Sequence, residues 1–193
     1  MRRGWLLAVL TVLAVSGAAY SQTHLALNGV GGKIGLVFPE GPIGSAVGLG
    51  LEAELGTVTP DLAVKAFLDF WSNGYEDEEI QHRTTQVSMG AVGKYYFEPI
   101  QELLPYAGAG LALNIGWFSH TGPPHFHGHW ESGSYSDVDI GIQIVGGAEM
   151  PLTPTMDGFG ELKYSIDGAD YFSIMAGVIF KIAPATGKAT WGK

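Results

Sequence analysis

The sequence predicts an all-β fold, an eight-stranded antiparallel transmembrane up-and-down β-barrel, over residues 22–182. Three features of the chain lead there. Eight stretches alternate apolar with small or polar residues and are bounded by Gly, Pro, Asn and Asp, which is strand rather than helix periodicity. The 29 glycines among 193 residues are roughly twice the usual share, and the 15% of charged residues falls well short of the usual quarter or so. In all eight stretches the apolar face carries no charged residue, while the opposite face is small, glycine-rich and charged.

The same composition removes several alternatives. A hydrophobic content of 46% is too high for disorder, and so much glycine is unfavourable in the helices of a bundle. A formal charge of −9 excludes nucleic acid as a partner, because phosphate binding needs clustered Lys and Arg. With no cysteine, a disulfide scaffold and thiolate chemistry are excluded too.

Taken in order, residues 1–21 come first. Arg2 and Arg3 precede an apolar run, Trp5–Val15, and then small residues through Ser21. This is the pattern of a secretory signal peptide, with cleavage after Ala19 or after Ser21. The run is shorter than the ~20 residues of a spanning helix. Loss of both arginines takes the formal charge from −9 to −11. The chain is therefore expected to be exported.

The expected strands follow: Lys33–Phe38 (or an onset nearer Ala26), Ala46–Leu55, Ala63–Trp71, Thr84–Phe97, Pro105–Phe118, Ser136–Met150, Asp157–Ile166 and Tyr171–Ile182. Several approach the roughly 9–11 residues of a tilted membrane strand. Their apolar faces include Leu111, Leu113 and Ile115 in the fifth, Ile140, Ile142 and Ile144 in the sixth, and Phe172, Ile174, Val178 and Phe180 in the last. These are expected to face lipid, where a midplane Lys or Arg costs about 2–4 kcal/mol. The other face holds Lys33, Glu52, Glu54, Lys65, Asp69, Lys94, Glu149, Glu161, Lys163 and Lys181, including five of the seven lysines. A soluble sandwich or barrel would cover its polar side densely with charge. Here that side is narrow, as expected for the lumen of an eight-stranded barrel. The ten charges are read as a paired plug, because desolvation costs several kcal/mol per unpaired ion; the alternative is a narrow ion pathway.

Aromatic residues fall at the strand ends. Phe70, Trp71 and Trp117 lie on one side and Tyr95 and Phe97 on the other, the two girdles that bilayer interfaces favour. With the N-terminus in the periplasm, the compact links 56–62, 98–104 and 151–156 are periplasmic, and the long links 72–83 and 119–135 are outer loops, the usual asymmetry.

By these features the chain resembles the small outer-membrane β-barrel superfamily of Gram-negative bacteria, the OmpA-transmembrane-domain-like and opacity-protein-like barrels. The resemblance rests on the signal segment, the eight alternating stretches, the paired aromatics and the last strand ending Val178-Ile179-Phe180-Lys181-Ile182. It implies an outer-membrane location among lipid and lipopolysaccharide and insertion by the barrel assembly machinery, with Phe180 or Trp191 as the terminal aromatic signal. It also implies a non-enzymatic role in structure, membrane integrity or adhesion through loops 72–83 and 119–135, with a possible extracellular ligand. Residues 183–193 read as a short flexible tail.

Three constellations could carry chemistry. His125, His127 and His129 alternate, with His120 nearby, a spacing that places imidazoles on one side of an extended segment and suits Zn²⁺, Ni²⁺ or Cu²⁺; solvated loop histidines are the plainer reading, and no cofactor is expected. The run Glu76-Asp77-Glu78-Glu79 lacks the spacing of a calcium loop and reads as a solvated acidic segment. His120, His129, Ser132 and Asp137 make a hydrolytic triad on paper, as in barrels that deacylate or acylate lipid A, but no Gly-x-Ser-x-Gly accompanies them. A soluble lipocalin-like binder, with the apolar faces turned inward, is the remaining alternative.

Overall fold

A computed structural model describes residues 24–41, 44–77, 80–121, 132–167 and 170–182. The described residues form eight strands: β1 (His24–Pro39), β2 (Ala46–Thr59), β3 (Leu62–Asp77), β4 (Ile80–Tyr96), β5 (Leu104–Thr121), β6 (Ser132–Thr153), β7 (Met156–Ile166) and β8 (Tyr171–Lys181). Each strand pairs antiparallel with the next, and β8 pairs with β1 to close the ring. Closure gives every strand a neighbour on both sides over the apolar band, the condition for crossing hydrocarbon. The signal segment 1–21 and the tail 183–193 lie outside the described residues.

The register sets the shape. Stepping from partner to partner, Glu149 leads through Phe159, Gly177, Lys33, Gly50, Asp69, Ser88 and Asn114 back to β6 at Asp139, ten residues from the start. A shear of that size over eight strands tilts them by about 40° and gives a backbone radius of roughly 8 Å. Such a tube has room for one layer of inward side chains. Glycines make that layer possible where the side chains are long. A Cβ on Gly50 would overlap Asp69 Oδ1 and stand 2.6 Å from Lys33 Cε.

The faces are arranged as lipid requires. Leu111, Leu113, Ile140, Ile142, Ile144, Phe172, Ile174 and Phe180 are exposed on the outer wall, while Lys94 and Glu149 are buried inside. Ile115 and Val178 share the outer face but are half-buried. A soluble binder would have the opposite arrangement, and that alternative is set aside. Trp71 departs from the expected girdle: it is 3% exposed and packs inside with Val37, Ala46 and Tyr171. Successive side chains on a strand point to opposite faces, so Phe70 and Trp71 cannot both face out. Phe70, Tyr95, Phe97 and Trp117 do.

The strands run longer than their apolar patterns. β1 begins at His24, and β4, β5 and β6 have 17, 18 and 22 residues, against about 9–11 for a tilted crossing. Nearly all of the expected loop 72–83 and both ends of the expected loop 119–135 are therefore strand: β3 and β4 stay paired out to Asp77 and Ile80, and β5 and β6 out to Thr121 and Ser132. The physical reason is that lipid imposes the apolar alternation, whereas the hydrogen-bonded ladder needs none. On this side β3 has lost β2 beyond Trp71, and β6 meets β7 only from Ile142 inward. Strands β3–β6 thus stand beyond the rest as a four-stranded wall whose two edges have no strand partner among the described residues.

Candidate functional site

The interior holds the first candidate site. In its middle, Lys33 on β1 reaches Glu52 at 3.0 Å, Asp69 at 3.1 Å and Glu161 at 3.1 Å. Lys65 on β3 bonds Glu52 at 2.8 Å and also Glu161, and Lys163 on β7 bonds Asp69. All six side chains are buried. Toward the end that carries the barrel termini, Lys94 bonds Glu149, whose carboxylate also accepts from Tyr96. Tyr106 donates to Glu161 at 3.1 Å, and its ring lies 3.9 Å from Lys94 Nζ. Glu54 is buried opposite Lys65 in the ladder. Lys181, less buried than the others, pairs with Asp157 at 2.7 Å.

Asp157 is absent from the sequence-derived set although the expected strand Asp157–Ile166 begins with it; its alternation with Phe159, Glu161 and Lys163 is the available signal. A second layer, uncharged apart from Asp167, also escapes sequence reasoning. Ser88 donates to Asn114 and lies 3.2 Å from the Tyr171 hydroxyl, Asn114 donates to Asp167, and Gln143 donates to Ser165 at 2.7 Å. These residues close the lumen above the ionic layer. The arrangement fits a plug: long side chains bridge opposite walls, and the lysine ammoniums lie among carboxylates and aromatic faces.

The projecting wall is the second candidate. On its inward side, Phe118 and Tyr135 stack with ring centres 4.8 Å apart and planes 16° from parallel. Asp137 and Asp139 follow Tyr135 on the same face of β6 and are exposed, as Tyr135 is at 63%. Arg83, Thr85, Trp117, Ser119, Ser134 and Ser136, whose side chains fall on the wall's outward side, line a cleft of about 280 Å³ that Phe118 and Tyr135 also border.

The expected metal ligands His125, His127 and His129 lie outside the described residues, and of His120 only the backbone is described. The register sets His120 directly across from His82, a cross-strand pairing that spacing alone does not reveal. Among the described residues no cluster of three potential ligands occurs. The triad written on paper is not brought together: His129 lies outside, and Ser132 and Asp137 sit five residues apart on one strand, about 17 Å along it. The tip of the acidic run, Glu78 and Glu79, lies outside as well.

Comparison with known proteins follows the same lines. The family model of the outer membrane protein beta-barrel domain matches residues 6–183. Neisserial surface protein A is similar in structure at 18% identity, with a TM-score of 0.59 over 83% of this chain and 100% of its own. Ail, the attachment invasion locus protein of Yersinia pestis, shares 15% identity with a TM-score of 0.54, covering 81% and 97%. A major outer membrane protein from Thermus thermophilus reaches a TM-score of 0.60 at 15% identity, covering 82% and 100%. At such identities the likeness is one of fold. No match is found among curated proteins.

Proposed function

This chain belongs to the outer membrane protein β-barrel family, and on that premise we propose that it serves as a plugged surface barrel whose projecting wall holds a cationic partner by adhesion. Its place is the outer membrane; export by the signal segment 1–21 and insertion by the barrel assembly machinery are part of this reading, and catalysis is not. One observation carries it: the exposed acids Asp137 and Asp139 stand beside the stacked Phe118–Tyr135 platform on one face of the wall. Carboxylates beside aromatic faces attract ammonium and guanidinium groups through both charge and ring quadrupole. The end of β3 adds Glu76 and Asp77 to the same side of the membrane.

Yersinia Ail has been solved with the heparin analogue sucrose octasulfate, a polyanion. An acidic wall is the wrong complement for such a ligand, so a basic segment of a surface protein is the class assigned here. The test is retention of a lysine-rich peptide by cells displaying the full chain, with heparin as the opposing probe. Asp137→Asn with Asp139→Asn should cut peptide retention roughly tenfold, and raised salt should do the same. Undiminished retention by the double variant, or a preference for heparin, overturns the reading.

A further inference from the structure

We propose that the outward face of the wall is a binding site for the phosphate-bearing headgroup of an outer-leaflet lipid. Two tiers of side chains build it. The register places Thr85, Trp117 and Ser136 side by side on β4, β5 and β6, and Arg83, Ser119 and Ser134 side by side one step further from the membrane. All six line the 280 Å³ cleft. One step in the other direction, on the same face, the three strands present Val87, Ile115 and Val138. The cleft is thus a polar mouth resting on the top of the apolar band, and it fits a ligand that is polar at one end and apolar at the other.

Charge identifies the polar end. Arg83 is the sole arginine after residue 3. Its Nε donates a long bond, 3.5 Å, to the Ser72 hydroxyl, which is itself 2.8 Å from the Thr85 hydroxyl. Among the described residues no carboxylate is paired with it. The lysines of the strands are turned inward, so Arg83 is the cation that the wall offers to its surroundings at this level. A guanidinium presents a planar fork of donors matched to phosphate oxygens, and serine and threonine hydroxyls supply further donors. Trp117, 45% exposed, has the amphipathic ring that interfaces favour. Free phosphate would use the upper tier alone, whereas a phospholipid or lipid A headgroup uses both tiers and lays acyl chain on Val87, Ile115 and Val138.

Phe118 and Tyr135 also border this cleft, so it adjoins the proposed cation receptor, but the proposal depends on the membrane placement, not on that reading. It is tested with the full barrel in detergent micelles, by native mass spectrometry with bisphosphorylated lipid A. The expected result is about one lipid retained per barrel. Arg83→Gln, or removal of both phosphates from the lipid, should lower retention about tenfold. Arg83→Lys, which keeps the charge and loses the fork, should fall between. Heat-modifiable gel mobility reports that each variant is folded; should Arg83→Gln fail to fold, Ser134→Ala combined with Ser119→Ala provides the second variant, with a smaller loss expected. Equal retention by wild type and the folded variants, equal retention of dephosphorylated lipid, or full displacement by millimolar inorganic phosphate each overturns the proposal.

Discussion

The two halves of the barrel handle charge in opposite ways. In the membrane-embedded part, lysines and acids are buried and matched to each other, with Lys33 alone reaching three carboxylates. On the projecting wall, Asp137 and Asp139 face solvent and Arg83 has no acidic partner among the described residues. The inside is therefore arranged for stability and the outside for contact. Buried charge that loses a partner is strongly destabilising, while an exposed charge changes stability by little.

The contrast can be broken most forcefully at Glu161, which holds both Lys33 and Lys65. Glu161→Leu should destabilise the barrel by about 3–5 kcal/mol, measured by urea unfolding from lipid vesicles. A loss below about 1 kcal/mol would mean that water, not the carboxylate, solvates these lysines. Next in size is the outer surface itself. Ile144→Lys, within the apolar band, should cost about 2–4 kcal/mol, whereas Asp139→Ala on the wall should stay within about 0.5 kcal/mol; similar values for the two would erase the distinction. The smallest of the interior effects is steric. At Gly177 an added Cβ would lie 2.5 Å from the Phe159 ring and closer still to Gly32 O, so Gly177→Ala should cost about 1–3 kcal/mol, read from the same unfolding curves.

Much of the interior is legible in the sequence because alternation assigns each strand residue to a face. Lys33, Glu52, Lys65, Asp69, Lys94, Glu149, Glu161 and Lys163 all fall on the inward side without any knowledge of register. Their pairings do not follow, since the partners of Lys33 come from β2, β3 and β7 and only a shear of ten brings them together. The neutral layer of Ser88, Asn114 and Gln143 escapes notice because uncharged residues on a polar face carry no signal of their own. Trp71 is misplaced when it is grouped with its neighbour Phe70 instead of being given the alternation that assigns the lysines. The wall is hidden for a different reason: hydropathy reports contact with lipid, and it falls silent where β3–β6 leave the bilayer still paired.

The ionic layer also ties the beginning of the chain to its end. Strands β1–β6 bring Lys33, Lys65, Glu52 and Asp69, but Glu161 and Lys163 arrive only with β7. A sheet lacking its final hairpin holds these two lysines and two carboxylates in equal number, but Lys33 and Lys65 lack the Glu161 carboxylate that bonds both and Asp69 lacks Lys163. Resting in hydrocarbon with an incomplete ion network and an open sheet edge is disfavoured. Completion of the ion network and ring closure are accordingly a single event, in which the last two strands act as the latch for charges laid down by the first three.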